Sequence, residues 1–248
     1  MTPIAEAFYK SELADLHRRL LQHPVAQQNL SGDRIRFDGR VLGIDIDQIE
    51  FPSFELSAHE FAQLFCVFNG SRVHAQVERL VGGDLSPPGY YLTIINTQVI
   101  APGHKNKLGI VQREGVSSEL FISDMHIDHF YLDAHGAPAL LGTISFALCA
   151  IAALRAGLGR ITLIAADGRG GGGFVGIKVW PKFGFDAPLD VGEIAADERF
   201  SACHTVQDLM AVDADWWAIH GTQRLMAFDL TPYSISWGSL LDYLCKKI

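Results

Sequence analysis

Eighteen consecutive residues, Ala137 to Leu154 (A-P-A-L-L-G-T-I-S-F-A-L-C-A-I-A-A-L), contain no charged side chain. A helix this apolar has no polar face to give to water, so protein or lipid must enclose it. The length sits at the lower limit for a membrane span, about 18 residues. Composition argues against lipid: six of the eighteen are Ala, Pro138 and Gly142 stand near the start, and Arg155 follows at once, whereas insertion needs dense Leu, Ile, Phe and Val. The sequence therefore predicts a helix over Ala139 to Leu154 buried on nearly all sides, with no membrane partner. Either the N-terminal region or a second subunit in a homodimer must cover it. A chain of 248 residues, 48% of them apolar, is long enough to enclose it.

Around this helix the hydrophobic periods alternate. Ile4 to Leu21 has helical spacing, with Ala5, Phe8, Leu13, Leu16, Leu20 and Leu21 as its stripe and His23-Pro24 as its end. Arg34 to Asp47 alternates about Asp38-Gly39, a hairpin signal. Ser57-x-x-Glu60 is a capping box opening a helix through Phe68, and a second helix is expected over Val73 to Val81. After Pro87-Pro88 come strands over Tyr90 to Ile100, Leu108 to Arg113 and Leu120 to Leu132, then the apolar helix and a strand over Arg160 to Ala166. A short helix over Val175 to Pro181 follows. The tail adds a helix around Val206 to Met210, a strand over Arg224 to Leu230 and a last helix near Leu240 to Leu244. The expected domains are a helical and hairpin extension, residues 1–86, and an α/β domain with a central mixed sheet, residues 87–248.

The net charge of -8, with no basic run longer than two residues, lacks the footprint of a nucleic-acid binder. Four scattered cysteines (Cys66, Cys149, Cys203, Cys245) give neither a disulfide framework nor a C-x-x-C site and read as reduced core thiols. The start, M-T-P-I-A-E-A-F-Y-K, has no basic stretch leading into an apolar run. Together these features predict a cytoplasmic location.

Asp167 to Phe174 reads D-G-R-G-G-G-G-F, in which Gly168, Gly170 and Gly173 spell G-x-G-x-x-G. A dinucleotide fingerprint opens a long helix and is followed about twenty residues on by a carboxylate. Here Pro181 cuts the next helix short and Asp186 and Asp190 come too early, so the run reads as a loop with close backbone approach. No G-K-[ST] follows, which excludes a P-loop.

Strand alternation puts Asp124, His126 and Asp128 on one face, opposite Met125, Ile127, His129 and Tyr131. Three ionisable groups in a row are costly to bury unless they bond one another or face a cleft. A His or carboxylate tuned near neutrality can act as a general base. A catalytic zinc site usually recruits more than one His, so no metal is expected here.

The order strand, apolar helix, strand, short helix, with I-D-H-F-Y-L-D (Ile127 to Asp133) and Lys182-x-Gly184-Phe185, resembles the GNAT acyltransferase superfamily over about residues 88 to 190. The stretch from Gly173 to Leu189, with Trp216-Trp217 following, is also similar to a GNAT-like subgroup of bacterial toxin-like and phage-associated proteins. The resemblance implies transfer of an acyl group from acetyl-CoA or another acyl-CoA, as co-substrate, to a small-molecule or protein amine. It implies His126 as base, at the spacing from Leu132 that some members give their glutamate, with Asp124 and Asp128 as orienting groups or alternative bases. Backbone donors on Leu132, Ala139, Leu140, Leu141, Gly142 and Thr143 would receive the cofactor. The sequence departs from the pattern in three places: Ala137 stands at a basic position, Leu140 at a glycine, and Trp180 where many members carry a tyrosine acid. These departures keep two alternatives open, a non-catalytic binding module and an acyltransferase fed by a carrier protein.

Overall fold

A computed structural model describes residues 1–51, 54–78, 80–81, 86–114, 120–167, 175–194 and 197–248. The glycine run, residues 168–174, with its G-x-G-x-x-G match and Arg169, lies outside the described residues. The chain is mixed α/β and forms two compact units, Met1–Ile161 and Thr162–Ile248. The division expected near residue 86 falls between two strands that pair with each other.

The first unit begins with α1 (Pro3–Phe8), a π-helical turn (Tyr9–Leu13) and α2 (Ala14–Gln22), one continuous helical run as the stripe predicts. The π turn has a sequence cause. The stripe steps by five from Phe8 to Leu13, and the wider turn, closed by the Ala14 amide on the Tyr9 carbonyl, keeps both in the core at 1% and 0% exposure. After α3 (Pro24–Asn29), strands β1 (Arg36–Phe37) and β2 (Arg40–Val41) form the expected hairpin; Asp38 and Gly39 both have positive φ, 45° and 87°, the signature of a type I′ turn. Strands β3 (Gln48–Phe51) and β4 (Phe54–Ser57) pair as a separate ribbon leading into α4 (Ala58–Leu64). The Ser57 side chain accepts from the Glu60 amide at 3.3 Å and Glu60 accepts from the Ser57 amide at 3.1 Å, completing the capping box.

The helix expected over Val73 to Val81 is instead strand β5 (Arg72–Glu78), antiparallel to β6 (Gly89–Ile95). Helical spacing of Val73, Val77, Leu80 and Val81 suggested otherwise, but β-branched valines fit a pleated strand and the ladder with β6 decides. Val73 is buried while Val77 is 60% exposed. Strands β6, β7 (Asn106–Glu114) and β8 (Leu120–His129) continue the sheet antiparallel, and β1 joins β5 in parallel, so the sheet is mixed.

Helix α5 (Leu141–Arg155) is the apolar segment, with Ile144, Leu148 and Ile151 all at 1% exposure or less. Its cover comes from the N-terminal region: α1, α2, α3 and α4 all pack against it. No described helix is long and apolar enough to cross a membrane.

Strand β9 (Arg160–Ala165) straddles the division, and β10 (Arg224–Asp229) neighbours it in the sheet. The second unit also holds α6 (Gly176–Val179) with a 3-10 turn (Trp180–Phe183), α7 (Val191–Ile194), α8 (Val206–His220) and α9 (Ile235–Lys247). Gly184 closes the 3-10 turn at φ 94°, and a Cβ there would collide with the Ser236 carbonyl. The helix expected around Val206 to Met210 reaches a kink at Asp213, with φ -155° and ψ 88°, beyond which a second helical segment continues to His220. It takes in Trp217, which is 1% exposed and donates its indole N-H to the Ile177 carbonyl at 2.8 Å, anchoring the tail. Cys66, Cys149 and Cys203 are buried and Cys245 is exposed, all as free thiols.

Candidate functional site

Asp124, His126 and Asp128 do not continue a single alternation along β8. Asp124 to Ile127 pair one-to-one with Val111 to Leu108, but the register then jumps from Ile127↔Leu108 to His129↔Lys107, leaving Asp128 as the extra residue of a bulge. Simple alternation stops there. Asp124, 7% exposed, pairs with Arg160 at 3.2 Å. His126, 2% exposed, meets the edge of the Tyr91 ring with centroids 6.4 Å apart. Asp128, whose side chain is 5% exposed, turns to Lys107 at 2.7 Å and to His129 at 3.2 Å.

Lys107 holds this group together. Its ammonium also reaches Glu78 at 2.8 Å and lies 4.8 Å from the centre of the Tyr91 ring. Burial pushes the Asp128 carboxyl up, but the hydrogen bonds from His129 and Lys107 outweigh it and hold the group well below the usual carboxylate range. Burial pulls Lys107 down and its bonds to Asp128 and Glu78 more than restore it, leaving it raised. His129 is raised chiefly by its bond to Asp128, against burial.

The His129 Nδ1 faces two acceptors, the Asp128 carbonyl at 2.7 Å and the carboxylate, so Nδ1 carries the proton in that bond. Nε2 is then the basic nitrogen of the neutral ring, the arrangement by which a carboxylate orients a catalytic imidazole. His129 stands at the rim of an open cleft of about 320 Å³ lined by Ile95, Gly103, His104, Lys105, His129 and Tyr131. The Tyr131 ring packs on His104 at 4.3 Å, and its backbone amide is fixed by Asn106 Oδ1 at 2.6 Å. Burial, with the nearby Asp128 charge, raises the Tyr131 phenol, so it stays protonated. Asp124, His126 and Asp128 do not line this cleft.

Beyond Tyr131 the chain turns through Leu132 to α5. A Cβ on Gly142 would lie 3.1 Å from Leu132 Cδ1, so Leu132 rests on the first turn of that helix. Of the residues expected to offer backbone donors, Leu141 is fully buried and gives its amide to the Pro138 carbonyl at 3.1 Å. Gly142 and Thr143 occupy first-turn positions whose amides have no acceptor within the helix. Ala139 is exposed. Leu140, at the helix start, has φ 68°, a left-handed conformation that costs a branched side chain about 1–3 kcal/mol. Trp180 packs against Phe183 and Phe185 at 5.9 and 5.3 Å.

Sequence reading missed Lys107, His104 and Glu78 and assigned His129 and Tyr131 to the opposite face of β8. A bulge leaves no periodic trace, and a lysine one strand away gives no local sign of its partner. The Asp128-His129 adjacency was the one available signal. No family model, curated protein or solved structure matches the chain significantly.

Proposed function

We propose that the chain is an N-acyltransferase that moves an acyl group from acetyl-CoA or another acyl-CoA to an amine by direct attack, on a GNAT-like fold. The observation that carries the reading is the Asp128-His129 pair, whose imidazole lines an open cleft together with Tyr131. An ammonium must lose a proton before it can attack a thioester. His129 Nε2 takes that proton while Asp128 steadies the imidazolium. The amine nitrogen bonds to the acyl carbon, the carbon-sulfur bond breaks, and the surplus proton on that nitrogen passes to the departing thiolate through Tyr131 or water. The Gly142 and Thr143 amides, at the positive end of the α5 dipole, favour a coenzyme phosphate there. The left-handed Leu140 also supports the reading, since the resemblance has a glycine at this position and glycine takes that conformation without cost.

His126, the base expected from spacing, lies against Tyr91 away from the cleft lining, so the role is assigned to His129. Release of free CoA from an acyl-CoA panel with a panel of amines tests both points. His129→Ala should lower turnover by about 10²- to 10⁴-fold, the worth of a positioned base, with acyl-CoA binding unchanged. An equal loss confined to His126→Ala, with its melting temperature intact, would return the role to His126. No thiol release with any pair would leave a non-catalytic module.

A further inference from the structure

The cleft has an electrostatic character that the acyl-transfer reading does not require. In a chain of net charge -8, its six lining residues include Lys105, His104 and His129 and no carboxylate. Asp128, which bonds to His129, and Glu78 are both paired to Lys107. Lys105 is exposed and forms no ion pair among the described residues. Asn106, the residue after Lys105, is fully buried and outside the cleft lining; its Oδ1 accepts from the Tyr131 amide at 2.6 Å and so ties the Lys105 segment to Tyr131. The left-handed turn at Gly103, φ 78°, presents His104 and Lys105 side by side before β7 begins.

A cation without its own acid, beside the imidazole of His104, is the chemistry that receives an anion. We propose that this cleft binds a carboxylate or phosphate group carried by the acceptor amine, with Lys105 and His104 as its principal contacts and the amine directed to His129. The substrate class is then an anionic amine, such as an amino acid or a phosphorylated amine, rather than a simple alkylamine. The acceptor assignment rests on the acyltransferase reading; the anion site itself does not.

The test is titration of the folded protein with inorganic phosphate and, separately, acetate, following the ring C-H resonances of His104 and His129 by NMR. Saturable shifts of both rings are expected, weakened about tenfold or more in Lys105→Glu, the loss expected for a charge-assisted hydrogen bond. Absence of saturable shifts, or equal binding in Lys105→Glu with an unchanged melting temperature, would overturn the site. Inhibition of acyl transfer by the better anion distinguishes the sources: competition against the amine supports the proposal, and competition against acyl-CoA overturns it in favour of a coenzyme phosphate. Anion binding without any turnover refutes the acyltransferase reading and the acceptor role with it, leaving an anion site. Turnover without anion binding refutes the site and leaves the acyltransferase reading in place.

Discussion

Replacing Gly109 by alanine probes the packing that joins the sheet core to the candidate site. Gly109 lies opposite Tyr91 on β6 and His126 on β8. The fully buried Tyr91 ring lies directly over it, and an added Cβ would fall 2.6 Å from ring Cε1 and 2.7 Å from Cγ. Relaxed carbon contacts need about 3.5–4.0 Å. The ring has little room to retreat, because its hydroxyl donates to the Pro87 carbonyl at 2.7 Å and Lys107 sits over its face. Overpacking of this kind costs about 1–3 kcal/mol, and the restriction of the unfolded chain by alanine returns about 0.4–1 kcal/mol. The expected net loss is about 1–2 kcal/mol. Urea unfolding followed by far-UV circular dichroism measures it. All four tryptophans lie within residues 162–248, so fluorescence reports the second unit separately. In a Tyr91→Ala background the cost of Gly109→Ala should largely vanish, a coupling of the size found between touching residues. An unchanged or raised midpoint for Gly109→Ala, or the same loss with and without the Tyr91 ring, would refute the reasoning.

Burial is the main influence lowering the His17 pKa, with the Arg155 and His59 charges adding to it and a Gln63 hydrogen bond opposing. A histidine whose folded pKa is depressed favours unfolding once the unfolded imidazole protonates, so melting temperature should fall as pH drops below about 6.5; His17→Gln should flatten that acid-side slope. Asp128→Asn removes the main cause of the raised His129 pKa, so NMR titration should find the His129 value lower in the variant. Leu148→Ala, at a fully buried position of α5, should cost about 2–5 kcal/mol in chemical unfolding. Gly184→Ala combines a left-handed φ with a collision on the Ser236 carbonyl and should cost more than about 1 kcal/mol, read as a lower melting temperature.

The apolar run Ala137 to Leu154 determined by itself that a helix would be enclosed, because a segment without a polar face has no soluble alternative. Local chemistry likewise specified the Ser57-Glu60 capping box and the Asp38-Gly39 turn, whose hydrogen bonds and backbone angles span only a few residues. The stripe from Ala5 to Leu20 fixed the N-terminal helix, and even its five-residue step was written in the spacing, although the π turn that absorbs it became visible only in the fold. Only tertiary structure decided the rest. The stretch from Val73 satisfies a helical pattern and a strand pattern equally, and pairing with β6 chose between them. The candidate site depends on one residue out of register: the bulge at Asp128 parts it from His126 and gives it to Lys107 and His129. Register is a property of two strands together, so no single stretch of sequence contains it.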